Sequence, residues 1–118
     1  MQTLSFEQAW DRTIAPEDRQ YIQHLFEKTS FENGVHFTLI REAINHKQET
    51  LVTVLIHNCE ETPLILNDIC IAYQNEVEQM CEFFSLPIQI NPFTSMPWTF
   101  IFPEKPTMDC EPVYTIQQ

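Results

Sequence analysis

Hydrophobic and polar positions change period along this chain of 118 residues. Between Pro16 and Lys28 the apolar residues Ile22, Leu25 and Phe26 recur at helical spacing, with Tyr21 beside them and Glu17, Gln23 and Glu27 opposite. Pro16 suits a first helical position, where a missing N–H costs nothing. Glu17 and Asp18 complement the positive end of the helix dipole and Lys28 the negative end. The pattern predicts a helix over 16–28, too short to persist unless its apolar stripe packs on something. After the turn signal Asn33-Gly34 the period falls to two. Val35, Phe37 and Leu39 alternate with His36, Thr38 and Ile40, and Asn45 to Gln48 reads as a turn. Residues 50–57 are nearly continuous aliphatic and β-branched, as in a central strand.

A polar turn from Asn58 to Pro63 leads to predicted strands over Leu64–Tyr73, 77–84 and 86–90. The run from Thr94 to Pro103 alternates most clearly: Met96, Trp98, Phe100 and Phe102 share one face, and Pro97, Thr99 and Ile101 the other. Pro97 and Pro103 cannot donate to a ladder, so they blunt this strand and suggest an edge position or a strand start. Residues 1–14 read as a lead-in anchored by Leu4, Phe6, Trp10 and Ile14. It holds a potential helical turn, in which Ser5 and Gln8 resemble a capping box. Residues 104–118 read as a mostly irregular tail in which Val113, Tyr114 and Ile116 can dock as a last short strand.

Strands at roughly ten-residue spacing, without βαβ alternation, predict one mainly β domain over 1–118. The expected layout is an antiparallel immunoglobulin-like β-sandwich over 35–103, with one N-terminal α-helix on a sheet or across its open end. Its expected core is Ile22, Leu25, Phe26, Val52, Val54, Ile56, Ile69, Ile71, Ile88, Trp98 and Phe100.

Three blocks in order resemble a known family. They are Leu4-Ser5-Phe6 through Trp10-Asp11, Pro16-Glu17-Asp18-Arg19 and Leu25-Phe26; Ile40 to Asn45 with Leu51 to Asn58; and Thr94 to Pro103. Together they are similar to the SLAP domain, the S-layer assembly domain linked to accessory Sec secretion in Gram-positive spore-formers. The chain departs from that family at Asn58-Cys59-Glu60-Glu61, where the family often has Asn-Gly. The resemblance implies a non-enzymatic cytoplasmic accessory factor. Its partners would be an S-layer precursor, the accessory SecA-type ATPase, or both.

Composition narrows this further. A net charge of −11, with six Lys and Arg, disfavours nucleic acid and anionic lipid and favours a basic protein partner. No apolar run approaches the ~20 residues of a membrane helix. The N-terminus has neither a basic n-region nor an apolar h-region, so a cytoplasmic protein is expected. Cys59, Cys70, Cys81 and Cys110 show no C-x-x-C spacing, and in a reducing compartment they are expected as free thiols. Oxidised in pairs, they would instead suit an extracellular structural or adhesive module.

Candidate chemistry is sparse. His36 and His46, with Glu42 between them, do not fit a metal motif. Cys59 two residues from His57 is the one nucleophile–base pair close in sequence, the basis of a less favoured thiol-enzyme reading. A single glycine, Gly34, excludes P-loops, dinucleotide turns and G-x-S-x-G elbows. No catalytic, metal or cofactor residues are therefore assigned. The candidate partner contacts are Trp10 and Phe93, aromatics in irregular segments, and Leu64 and Ile65. The last two start a strand that would support a homodimer, or accept a client strand, if it lay at a sheet edge.

Overall fold

The computed structural model describes residues 2–67, 69–74, 79–87, 89–102 and 113–117, with side chains placed for 2–67, 83–87 and 89–102. In chain order it contains β1 (Thr3–Leu4), α1 (Gln8–Thr13), α2 (Pro16–Lys28), β2 (Val35–Ile44), β3 (Thr50–Asn58), β4 (Ile69–Gln74), β5 (Gln79–Phe84), β6 (Thr94–Phe102) and β7 (Val113–Gln117). Four strands form one sheet in the order β1-β6-β3-β2, and three form a second in the order β5-β4-β7. The chain is mainly β, as its periodicity requires.

β3 is the keystone. Val52, Val54 and Ile56 face a core completed by Met96, Phe100 and Phe102 of β6 and by Leu66 and Ile90 of the connecting segments. Phe84, the last residue of β5, stacks on this core, its ring centroid 4.8 Å from Phe100 and 5.4 Å from Phe102. Leu55 points the other way and packs with Ile22 of α2 and Ile40 of β2. Leu4, Phe6, Trp10, Ile14, Leu25 and Phe26 surround that second cluster, so the helices cover the opposite face of the sheet. A strand covered on both faces has no use for polar alternation, hence its unbroken aliphatic run.

Helix α2 spans the predicted 16–28, with Pro16 at its start. The lead-in is more ordered than its sequence suggests. It contributes β1 and a second helix, α1, whose N-cap is Glu7, the carboxylate accepting from the Ala9 N–H at 3.1 Å, and not Ser5. Two helices therefore precede the sheets where one was expected. The sheet is also mixed, because β1 runs parallel to β6. A two-residue strand that owes its place to a distant partner leaves no period-two signal to read.

Three further expectations change. Of the predicted strand 64–73, the described strand begins at Ile69 and runs one residue further, to Gln74; Leu64 makes an isolated bridge to Ile90, the one strand contact among the described residues of 86–90. β4 lies between β5 and β7, so it is not an edge. The tail supplies β7, which pairs antiparallel with β4 and removes the premise of a homodimer through Leu64 and Ile65. Trp98 is half-buried, because β6 borders only the short β1 on its outer side, whereas Phe100 and Phe102 are buried. Ile22, Val52, Val54 and Ile56 are buried as expected and Leu25 and Phe26 half-buried. The side chains of Ile69, Ile71, Cys70 and Cys81, and residues 88 and 104–112, lie outside the described ones.

The two segments that cross between the sheets, 59–67 and 85–93, are tied together at Asn58. Its buried amide donates to the carbonyls of Thr62 at 2.9 Å and of Ile90 and Asn91 at 3.1 Å each. Two protons thus serve three acceptors, one of them shared. Its side-chain oxygen accepts from the Glu60 N–H, and its backbone carbonyl accepts from the Gln2 side chain. Replacing the amide would remove the bond that joins these two segments; the buried Ile90 carbonyl would keep only the Leu64 N–H. Asn58→Ala is expected to cost about 1–3 kcal/mol in urea unfolding, and Asn58→Asp, which turns a carboxylate toward those carbonyls, more. Phe100→Ala is expected to cost about 3–5 kcal/mol, and Trp98→Ala clearly less. Equal losses for the two aromatic variants would contradict the burial described above.

Candidate functional site

Helix α1, the Ile14-Ala15 link and helix α2 stand over one half of the four-stranded sheet and enclose a groove of about 630 Å³. Trp10 and Thr13 of α1 form one wall, and Asp18 and Tyr21 of α2 the other. Ile40, Arg41, Thr53 and Thr99 form the floor. The walls stand apart because Ala15-Pro16 forces an extended step between the helices: Ala15 sits at φ −68°, ψ 147°. Arg19 fixes the angle. Its guanidinium bonds the Asp11 carboxylate at 2.8 Å and the Asp11 carbonyl at 3.0 Å, and lies 4.7 Å from the centre of the Phe6 ring. Arg41 bonds Asp18 at 3.0 Å and pins α2 to β2. Both ion pairs are largely exposed, so they set geometry more than stability. On the floor the Thr53 and Thr99 hydroxyls meet at 2.9 Å.

The sequence-derived contacts do not converge. Trp10 lines the groove and is half-buried on α1. Phe93, Leu64 and Ile65 lie on the connecting segments. Phe93 is a loop residue in the left-handed region at φ 52°, its side chain partly exposed. Leu64 is half-buried in its bridge to Ile90, while Ile65 is 67 % exposed. Sequence reasoning missed Tyr21 and the threonine floor as groove residues. Tyr21 flanked the apolar stripe of α2, and Thr53 and Thr99 become neighbours only through the β3–β6 register.

Beside the groove lies a buried polar chain. His57 is fully buried; its Nε2 lies 2.8 Å from the Thr38 hydroxyl and its Nδ1 2.6 Å from that of Ser95. The proton directions follow from the ends of this chain. Thr29 donates to the Leu25 carbonyl at 2.7 Å, so it accepts from Thr38, and Thr38 accepts from His57 Nε2–H. At the other end Gln2 donates to Ser95 at 3.1 Å, and Ser95 donates to the bare Nδ1. The His36 ring lies 4.6 Å from His57, and the Phe31 ring meets His57 edge-on at 5.3 Å. This chain links the N-terminal strand to the last turn of α2.

Among the described residues, Cys59 and His57 do not come together as a nucleophile–base pair. β3 ends at Asn58, so Cys59 leaves the strand and its Sγ lies 3.7 Å from His36 Nε2, not against His57. Burial, with the Glu60 charge adding, raises its pKa and keeps it a thiol. Ser95 is fully buried beside His57, out of reach of any substrate. His36 stands near the start of β2, whereas His46 lies in the turn beyond its far end, so the strand holds them apart. Among the described residues no group of three His, Cys, Asp or Glu side chains could hold a metal.

Burial, and secondarily the charge of His36, lowers the His57 pKa from 6.5 to about 4. The folded protein therefore binds this proton less readily than the unfolded chain. The contribution is fully present above about pH 6.5 and is lost as the pH falls toward 4, by at most about 1.4 kcal/mol per pH unit. Urea midpoints between pH 7.5 and 4.5 should fall more steeply for the wild type than for His57→Gln. Parallel profiles would mean that His57 titrates normally.

A sequence model of the SLAP domain matches residues 4–114. No curated protein and no solved structure shows significant similarity to the chain. Among the described residues no helix is long and apolar enough to cross a membrane.

Proposed function

The chain belongs to the SLAP domain family, and from that premise we propose that it is a non-enzymatic accessory factor for secretion or assembly of S-layer proteins through the accessory Sec pathway. It acts as a protein-binding module in the cytoplasm. Its partners are the S-layer precursor, the accessory SecA-type ATPase, or both. The observation that carries this reading is the open groove between α1, α2 and the sheet, with Trp10 and Tyr21 on its walls. Aromatic side chains on a fixed scaffold are the usual anchors of protein contacts. Tyr21 is 46 % exposed, with its ring free to be covered.

Two features support the reading. Cys59 is a buried free thiol, as suits a reducing compartment. The −11 charge favours encounter with basic segments and keeps an unoccupied binding protein soluble. The two sheets, meeting through Phe84 and Phe100, would form the layers of a sandwich that holds this surface rigid.

The test is calorimetric binding of the full chain to purified S-layer precursor and, separately, to the accessory ATPase. Binding to at least one is expected, weakening with salt. The double variant Trp10→Ala/Tyr21→Ala should bind at least about tenfold more weakly, a loss of about 1.4 kcal/mol. No binding to either partner at about 100 μM would end the reading, since it leaves less than about 5.5 kcal/mol of affinity. Undiminished binding by the double variant would remove the groove from it.

A further inference from the structure

Among the described residues, the outer edge of β6 is only partly occupied. β1 pairs with Thr94 and Ser95 and goes no further. The Ser5 N–H donates to the Ser95 carbonyl at 2.9 Å, which shows that Ser95 directs its backbone groups outward, away from β3. By the two-residue period, Pro97, Thr99 and Ile101 do the same, while Met96, Trp98 and Phe100 bond to β3. In the parallel ladder the next rung would run from the N–H of residue 97 to the Ser5 carbonyl. Proline has no N–H, so the ladder stops there and the chain turns into α1. Pro97 itself is buried; beyond it the N–H and C=O groups of Thr99 and Ile101 face outward, and no described residue pairs with them.

Unpaired ladder groups of this kind are met by another extended backbone. We infer that the outer edge of β6 from Trp98 to Ile101 takes up an extended segment of a partner protein as an added strand, continuing the ladder beyond the point where β1 ends. This rests on the reading of the chain as a protein-binding module and names how the partner is held. The side chains on the two faces of that edge suit it. Ile101 is 46 % exposed on the helix side, next to Thr99 at the groove floor, and Trp98 is half-buried on the other side. A strand added here would cover Trp98 with one set of alternate residues and Ile101 with the other. The partner segment is therefore apolar or β-branched at alternate positions. The −11 charge of the chain selects Lys and Arg, and not Asp and Glu, at the positions around them. The proline that blunts the strand in the sequence removes one donor but leaves the two residues beyond it open.

The experiment follows backbone amide exchange by NMR in the ¹⁵N-labelled full chain. The probe is a synthetic peptide of alternating Val and Lys, and the control is the same peptide N-methylated at alternate residues, which keeps the side chains and removes the ladder donors. In the free protein the Thr99 and Ile101 amides should exchange quickly and the Phe100 amide slowly. Saturating peptide should slow Thr99 and Ile101 by at least about tenfold, and the N-methylated control should not. Ile101→Pro, which removes an outward donor and leaves the β3 ladder intact, should abolish the effect at Thr99; the amide readout in the wild type stands even if that variant misfolds. Thr99 and Ile101 already protected in the free protein would overturn the inference. So would protection that appears on concentrating the protein alone, which would assign the edge to a second copy. The same holds if neither amide is slowed by saturating peptide. If S-layer precursor binds while both amides stay unprotected, strand addition falls and the accessory-factor reading stands. If the peptide adds at the edge while neither precursor nor ATPase binds, the reverse holds.

Discussion

The whole arrangement hangs on β3 being buried on both faces while ending in two polar residues, His57 and Asn58. An aliphatic strand can vanish into a core without further conditions. A buried amide and a buried imidazole cannot, since each unmet polar atom costs on the order of 1–3 kcal/mol. Asn58 meets that condition by drawing together the two segments that cross between the sheets. His57 meets it through Thr38 on β2 and Ser95 on β6. The partners come from distant parts of the chain, so satisfying them also fixes register and topology. A slip of one residue in β3 would turn both side chains to the opposite faces and orphan every one of these contacts.

The N-terminal segment is part of the same bargain. Gln2 reaches both the Ser95 hydroxyl and the Asn58 carbonyl, so the short β1 is held by side-chain bonds as much as by its own ladder. That placement launches α1 over the sheet, and Ala15-Pro16 then turns the chain into α2 at an angle that leaves the groove open. The groove is thus a consequence of how the polar end of β3 is satisfied and of where a proline falls. Trp10 and Tyr21 stand on its walls, and the paired hydroxyls of Thr53 and Thr99 lie on its floor.

An open groove on one side of the sheet and, among the described residues, a strand edge left partly unpaired beside it fit a module that holds another polypeptide. In the complex proposed above, the acidity of the chain would act at long range, on encounter and selectivity, and the short-range contacts would be apolar and backbone-mediated.

The sequence alone determined the elements whose side chains repeat: α2 from its capping signals and apolar stripe, β2 and β3 from alternation and the unbroken aliphatic run, and β6 from its aromatic face. Three ordered blocks also carried the family. It placed Trp10 and Phe93 as contact candidates, but could not say that Trp10 belongs to a groove and Phe93 to a loop elsewhere. Tertiary structure decided what has no local period. β1 exists because β6 offers it an edge. β4 is central because the tail returns as β7. Thr53 and Thr99 meet because β3 and β6 take one register. His57 and Ser95 pair across 38 residues of chain. Periodicity records which face of an element is buried, whereas neighbours across a sheet and the bonds of buried polar groups are long-range choices, made only when the strands come together.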